Sequence, residues 1–173
     1  MSEAPIAVRR LAPAEAALYR EIRLAGLRDE PDAFSSTFED ENKEPTAFFA
    51  DRLQRSAVFG AFRGTELLGI AGFFVQPGPK HRHKGMLVGM YVRPAARRLG
   101  LGRRLVEAVI DYARGRVELV ELSVISDNQA ARALYASLGF AEYGLEKHAA
   151  KYQGRYHDDV LMAKMLTLDG ARR

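Results

Sequence analysis

The residues best placed to do chemistry begin at a basic turn. Five arginines, Arg93, Arg97, Arg98, Arg103 and Arg104, fall within twelve residues with no acid among them, and four sit where a helix is about to start or has just started. That is the wrong sign for a helix start. The exposed N–H groups of a first turn carry roughly half a positive charge, so acidic side chains are favoured there by about 0.3–1 kcal/mol each. Arginines beside Gly100 and Gly102 make sense if an anion completes the site, because glycines let a ligand approach the backbone and the helix start shares its charge. The stretch therefore predicts bound phosphate. It is not a Walker loop, since no lysine followed by serine or threonine comes after the glycines, and it fails the G-x-G-x-x-G spacing because Leu105 stands three after Gly102.

Two further clusters carry charge. Residues 29–44 (DEPDAFSSTFEDENKE) hold seven acids, one lysine and two phenylalanines, a net charge of six negative units. A smaller basic tip, KHRHK at Lys80–Lys84, includes His81 and His83. Those two histidines are not expected to hold metal, because an exposed hairpin tip with lysines beside it offers no third ligand.

The elements that must position these residues are readable from periodicity. Ile6–Leu11 predicts a first strand, and Pro13 can open a helix with an apolar stripe running to about Arg28, where Pro31 stops it. The acidic stretch is expected as a loop, and Pro45 or Thr46 opens a second helix. From Ala57 the period changes to two: AVFGAF and LLGIAGFFV predict a hairpin, followed by the strand MLVGMYV. In that strand Gly89 fits a bulge or the close approach of a ligand. A helix after the basic turn leads to a strand at Val117–Ile125. Ser126 and Gln129 fit a capping box for a helix over Asn128–Leu138, which Gly139 ends. Two final strands are expected near Phe140–Tyr152 and Asp159–Leu168, separated by a turn at Gly154. The order β-α-α-β-β-β-α-β-α-β-β predicts an α/β domain with a mixed sheet, the strands flanking the central helix being parallel.

Composition bounds the rest. A length of 173 residues fits one domain spanning 1–173. No apolar run approaches a membrane span, and no basic region followed by an apolar run precedes residue 20, so neither a membrane partner nor a secretory signal is expected. The absence of cysteine excludes thiol nucleophiles and thiolate metal sites and suits a cytoplasmic protein. A net charge of +4 would suggest nucleic acid, but removing the five arginines from the 26 basic residues leaves them one short of the 22 acids. The excess is local, which favours one phosphate site over a polyanion-binding face.

The basic turn R-x-x-G-x-G at Arg97, Gly100 and Gly102 is followed some 25 residues later by N-x-x-A-x-x-L-Y-x-x-x-G-F, from Asn128 through Ala131, Leu134, Tyr135 and Gly139 to Phe140. With these motifs in this order of elements, the chain resembles the GNAT superfamily of acyl-CoA-dependent N-acetyltransferases, most specifically from Met86 to Phe140. The resemblance implies a mixed, mostly antiparallel sheet of six to seven strands flanked by about four helices and splayed between the fourth and fifth strands. Acetyl-CoA would be the co-substrate, with no metal. Its pyrophosphate would lie on Arg97, Arg98, Leu99, Gly100, Leu101, Gly102 and Arg103. Its pantetheine arm would pair with the strand at Met90, Tyr91 and Val92, and Asn128 would be a further cofactor contact. One departure stands out: many members have glycine where this chain has Arg98, which either crowds the loop or adds a phosphate contact.

The resemblance also implies roles. The Met90 N–H would polarise the acetyl carbonyl, and Tyr135 would protonate the departing thiolate, since a phenol of pKa about 10 can donate to a thiolate of conjugate-acid pKa about 8.5 when held in contact. A base must take the amine proton; Glu121 on the more polar face of its strand leads, with Glu39, Glu41 and His157 as alternatives. The acidic loop, with Phe34 and Phe38 as apolar walls and Glu39 and Glu41 as charges, implies a cationic acceptor: a polyamine, a lysine side chain or a peptide N-terminus. The rival readings are a non-catalytic acyl-CoA-binding sensor on the same fold and a nucleic-acid-binding domain, the latter opposed by the charge balance. Homodimerisation through the sheet edge or the final strands is left open by the sequence.

Overall fold

The computed structural model describes residues 4–166. The part of the expected last strand at 167–168 lies outside them. Seven strands form one sheet in the order β1-β2-β3-β4-β5-β7-β6: β1 (Ile6–Arg10), β2 (Ala57–Arg63), β3 (Glu66–Val75), β4 (Lys84–Val92), β5 (Leu119–Ile125), β6 (Ala141–Tyr152) and β7 (Arg155–Met165). The central strands β2 and β3 are buried on both faces, as their near-continuous apolar runs require.

Helices cover both faces. On one, α1 (Ala16–Asp29) and α3 (Thr46–Arg55) set Tyr19, Ile22, Phe49 and Leu53 against Val58, Phe62, Ile70 and Tyr91. On the other, α4 (Leu101–Ala113) sets Leu105, Val106 and Val109 against Ala61, Phe73, Leu87 and Val120, and α5 (Gln129–Ser137) adds Tyr135 to that core. Among the described residues no helix is long and apolar enough to cross a membrane.

All pairings are antiparallel except β4 with β5, which run parallel for only three residue pairs, Lys84–Leu119, Gly85–Val120 and Met86–Glu121. Beyond them the strands part. From Leu122 to Ile125, β5 pairs on its other side with β7, and β4 bulges: Ile70 faces Tyr91 while Gly72 faces Val88, with Gly89 at φ +62° inside the irregularity. A bulge bends its strand and increases local twist, carrying β4 away from β5. Lys84 Nζ and Gln76 Nε2 both donate to the Glu121 carboxylate, at 3.1 and 2.8 Å, and pin the closed end.

Three expectations are corrected. The acidic stretch is not all loop: α2 (Phe38–Glu41) forms one turn whose start is capped by Thr37, its hydroxyl accepting the Asp40 N–H at 3.2 Å. Ser126 does not cap α5. The Asn128 N–H returns to the Ile125 carbonyl at 2.9 Å, delaying the helix to Gln129, and Asn128 Oδ1 accepts the Ala131 N–H at 3.1 Å. The last strand begins at Arg155 instead of Asp159, because Gln153 and Gly154 at φ +48° and +79° turn the chain within two residues.

The acidic stretch is anchored by Glu41, which is 4% exposed. It accepts a bidentate pair from Arg23, at 3.0 and 2.9 Å, and a further bond from Arg52 at 3.2 Å. Burial pushes its carboxyl pKa up, but Arg23 bonding and the charges of both arginines reverse this and hold it below the usual range. A carboxylate so depressed contributes stability that is whole above its unfolded pKa of about 4.3 and is lost as pH falls through the lower folded value. Glu41→Ala is therefore expected to destabilise the domain by about 3–5 kcal/mol at neutral pH and to flatten the acid limb of the stability profile, as measured by urea unfolding from pH 3 to 7.

Candidate functional site

The parting of β4 and β5 opens a cleft of about 700 Å³ that reaches from the start of α4 to the segment after α1. One wall is β4 from Met86 to Val92, whose edge has no strand partner beyond Met86; the other is Ser123, Val124 and Ile125 of β5, continued by Asn128, Leu134 and Tyr135.

At the basic end the arginines divide. Arg97, Arg98 and Arg103 line the cleft. Arg93 turns away to the Leu67 carbonyl and Glu21, and Arg104 to the Ile6 carbonyl, so these two serve the sheet and not the turn. Arg97 pairs with Glu30 at 2.5 Å, and Arg103 donates to Ser137 Oγ at 2.7 Å. Among the described residues Arg98 makes no hydrogen bond or ion pair. It holds φ +65°, the left-handed conformation in which only glycine is free of penalty. That is the physical reason glycine suits this position, and the arginine here accepts strain while adding an uncommitted cation.

The glycines serve different ends. Gly100 caps α4 at φ +71° with nothing within 4 Å of an added Cβ, leaving open space over the first-turn amides. At Gly102 a Cβ would stand 2.9 Å from Met90 Cε and 3.2 Å from Leu134 Cδ2, so its absence seats α4 against β4 and α5. An open helix start, three guanidiniums and an unpaired strand edge together fit a phosphate-bearing, amide-bearing ligand. Leu99 is 48% exposed and stands outside the lining.

Two tyrosines border this cleft. Tyr91 contributes main chain, because its ring is buried beneath α1 and its hydroxyl donates to Asp29 at 2.5 Å; burial, then Asp29, push its pKa up. Tyr135 is 6% exposed, lies edge-on to Phe140 at 5.9 Å, and has its pKa pushed up to about 12 by burial. It keeps its proton at any working pH.

The far end is built by Arg23, Glu30, Asp32, Phe34, Ala150 and Asp159, among others. Of the loop residues expected to meet a substrate, only Phe34 reaches the cleft. Phe38 lies under the Arg28 guanidinium at 4.6 Å, Glu39 is exposed elsewhere, and Glu41 is buried behind Arg23. Glu121 lies at the closed end of the strand pair and is not part of the lining; His157 lies behind it, its Nε2 3.3 Å from Asp32 Oδ1. Several acids of the loop are engaged: Asp29 with Tyr91, Glu30 with Arg97, Asp32 with Arg155 at 3.6 Å, and Glu41 with two arginines.

Arg23, Asp32 and Asp159 were not singled out in the sequence. Arg23 had a readable signal: it falls four residues after Tyr19 and four before Leu27, on the buried stripe of α1, where a charge needs a reason. Asp159 had none, because only the pairing of β7 with β5, Asp159 opposite Ile125, brings it here.

Comparison with known proteins agrees with the geometry. The profile of the Acetyltransferase (GNAT) family matches residues 20–140. The N-alpha-acetyltransferase RimI of Mycobacterium tuberculosis is 40% identical over 96 residues, 55% of this chain and 58% of that protein. The chain thus spans little more than half the length of this relative. A GNAT-family acetyltransferase from Streptococcus pneumoniae superposes with a TM-score of 0.85 at 24% identity, covering 94% of this chain and all (100%) of that one. The putative acetyltransferase yncA of Salmonella typhimurium, solved with its cofactor acetyl-CoA, gives 0.79 at 23% identity, covering 98% and 99%. These two structures share the fold.

The strain at Arg98 is testable without any ligand. Arg98→Gly is expected to be more stable than Arg98→Ala by about 1 kcal/mol, because glycine alone relaxes at that φ, with urea unfolding of the two variants as the measurement.

Proposed function

Given that this chain belongs to the acetyltransferase (GNAT) family, we propose that it moves an acetyl group from acetyl-CoA to a primary amine by direct attack in a ternary complex. The observation that carries this reading is the cleft itself: one continuous cleft joins a basic turn, an unpaired strand edge and a buried tyrosine to the residues beneath α1. Acetyl-CoA supplies a thioester carbonyl and a thiolate leaving group.

Arg97, Arg98, Arg103 and the amides from Gly100 to Gly102 hold the pyrophosphate. The main chain at Met90, Tyr91 and Val92 aligns the pantetheine amides, and the Met90 N–H donates to the carbonyl oxygen as charge develops there. Asn128 borders the same wall, its carbonyl oxygen already engaged in the cap of α5.

The acceptor ammonium first gives a proton to a base at the far end. Asp32, its neighbour His157 and Asp159 stand there; Glu121 would have to release Lys84 and Gln76 to serve. Once the base has passed that proton to solvent, the amine nitrogen bonds to the carbonyl carbon, the carbon–sulfur bond breaks, and the second amine proton is shed to the base. Tyr135 gives its phenolic proton to the sulfur and is reprotonated from solvent. Burial raises the pKa of a thiol as it does that of the phenol, so the match between the two survives desolvation.

The acceptor class comprises small amines, lysine side chains and peptide N-termini. Likeness to an N-alpha-acetyltransferase supports an α-amine among these. A cytoplasmic setting belongs to the same proposal, since acetyl-CoA must be at hand.

Tyr135→Phe is expected to lower kcat about a hundredfold while leaving the acetyl-CoA Kd unchanged, with thiol release and calorimetry as readouts. Unaltered kcat would remove the general-acid role.

A further inference from the structure

Among the described residues, Arg23 is a cleft-lining cation on α1 whose donors are not all spent. Its side chain is nine-tenths buried, and its Nε and Nη2 are held by Glu41. Among the described residues Nη1 has no hydrogen-bond partner. That nitrogen faces the strand bulge: a Cβ built on Gly89 would lie 3.3 Å from it. The guanidinium is also fixed in plane, 4.7 Å over the Phe34 ring, which lines the same chamber.

The charge count points the same way. Glu41 is shared between Arg23, whose side chain is 9% exposed, and Arg52, at 29%, so one carboxylate serves two cations. An uncompensated buried cation is costly unless an anion meets it. Of the acids lining the chamber, Glu30 is paired with Arg97, and Asp32 with His157 and Arg155, while Asp159 completes the opposite wall. The cleft is therefore dipolar, positive beside Gly89 and negative at Asp159, which forms no ion pair among the described residues.

We propose that the acceptor is a free amino acid or close analogue, its carboxylate bound by Arg23 Nη1 and its ammonium met by Asp159 opposite. This rests on the acetyltransferase reading and narrows it. A carboxylate at Arg23 lies one residue from Met90, so only an amine within a bond or two of that carboxylate reaches the carbonyl. Polyamines lack the anion. A peptide N-terminus carries a neutral amide where the anion is needed, and a site built for a charged partner discriminates against its absence.

The test is thiol release by the full chain with saturating acetyl-CoA on the L-amino acids, each compared with its α-carboxamide and its decarboxylated amine, and on alanine-initiated peptides. At least one amino acid is expected to exceed its carboxamide about tenfold or more in kcat/KM, with the preference collapsing in Arg23→Lys, which keeps a cation but loses the fork. Carboxamides, amines or peptides turned over as well as or better than the acids would overturn the inference and leave the acetyltransferase standing. Preference for the acids that persists in Arg23→Lys would overturn the assignment to Arg23. Binding of acetyl-CoA without release on any amine would remove the acetyltransferase reading and this inference with it. Because the acid-to-amide comparison uses the unaltered protein, it holds even where the variant fails to fold.

Discussion

Everything at this site depends on two parallel strands that pair for three residues and then stop. An interrupted ladder leaves N–H and C=O groups along both edges, and such groups must be paired or reach solvent. Closing the gap would satisfy them at once, so something must hold it open. On β4 the bulge at Gly89 shifts the strand's register against β3. On β5, pairing with β7 from Leu119 to Ile125 commits the strand to its other neighbour. Between them α4 is wedged by the contact of Gly102 with Met90 and Leu134, while Lys84 and Gln76 clamp Glu121 at the point of divergence. The sheet is thus complete apart from one defect, and a ligand with peptide-like groups is the natural filler.

Electrostatics follow from that geometry. The open start of α4 and three guanidiniums make one end positive, and the acidic segment after α1 folds back to meet it. The bond between Glu30 and Arg97 joins the two directly, so the segment after α1 is tied to the basic turn. Because Glu30, Asp32 and Glu41, three of the seven acids of that segment, are paired with arginines, its six-unit negative charge does not reach the cleft intact. A sequence count of acids overstates the field that a substrate meets.

The same distinction decides what was legible in the sequence. The basic turn, its glycines, the bulge at Gly89 and the alternation of elements are local properties, set by charge, φ preference and period over a few residues, and they were readable. The chamber was not, because Arg23, Asp32 and Asp159 come from α1, the loop after it and β7, and meet only when β7 is inserted between β5 and β6. The cap of α5 failed for a subtler reason: Ser126 and Asn128 are both good caps, and the choice was made by a turn that returns the Asn128 N–H to Ile125.

Burial raises the pKa of both tyrosines at the cleft, yet the shift means different things. Tyr91 keeps its proton and donates it in a hydrogen bond to Asp29, and its ring is wedged where a Cβ on Gly26 would lie 3.0 Å from Tyr91 Cγ. Moving that proton to a leaving group would break a buried bond and loosen α1 from the sheet. Tyr135 is shifted by burial alone and has no hydrogen-bond partner among the described residues. Its proton is therefore held only by the cost of leaving a bare phenolate in an apolar wall, a cost that falls when a thiolate forms beside it and makes the exchange one anion for another. A shifted pKa marks a candidate proton donor only when the proton has nowhere else to be, and that criterion is why Tyr135, and not Tyr91, is the donor we propose.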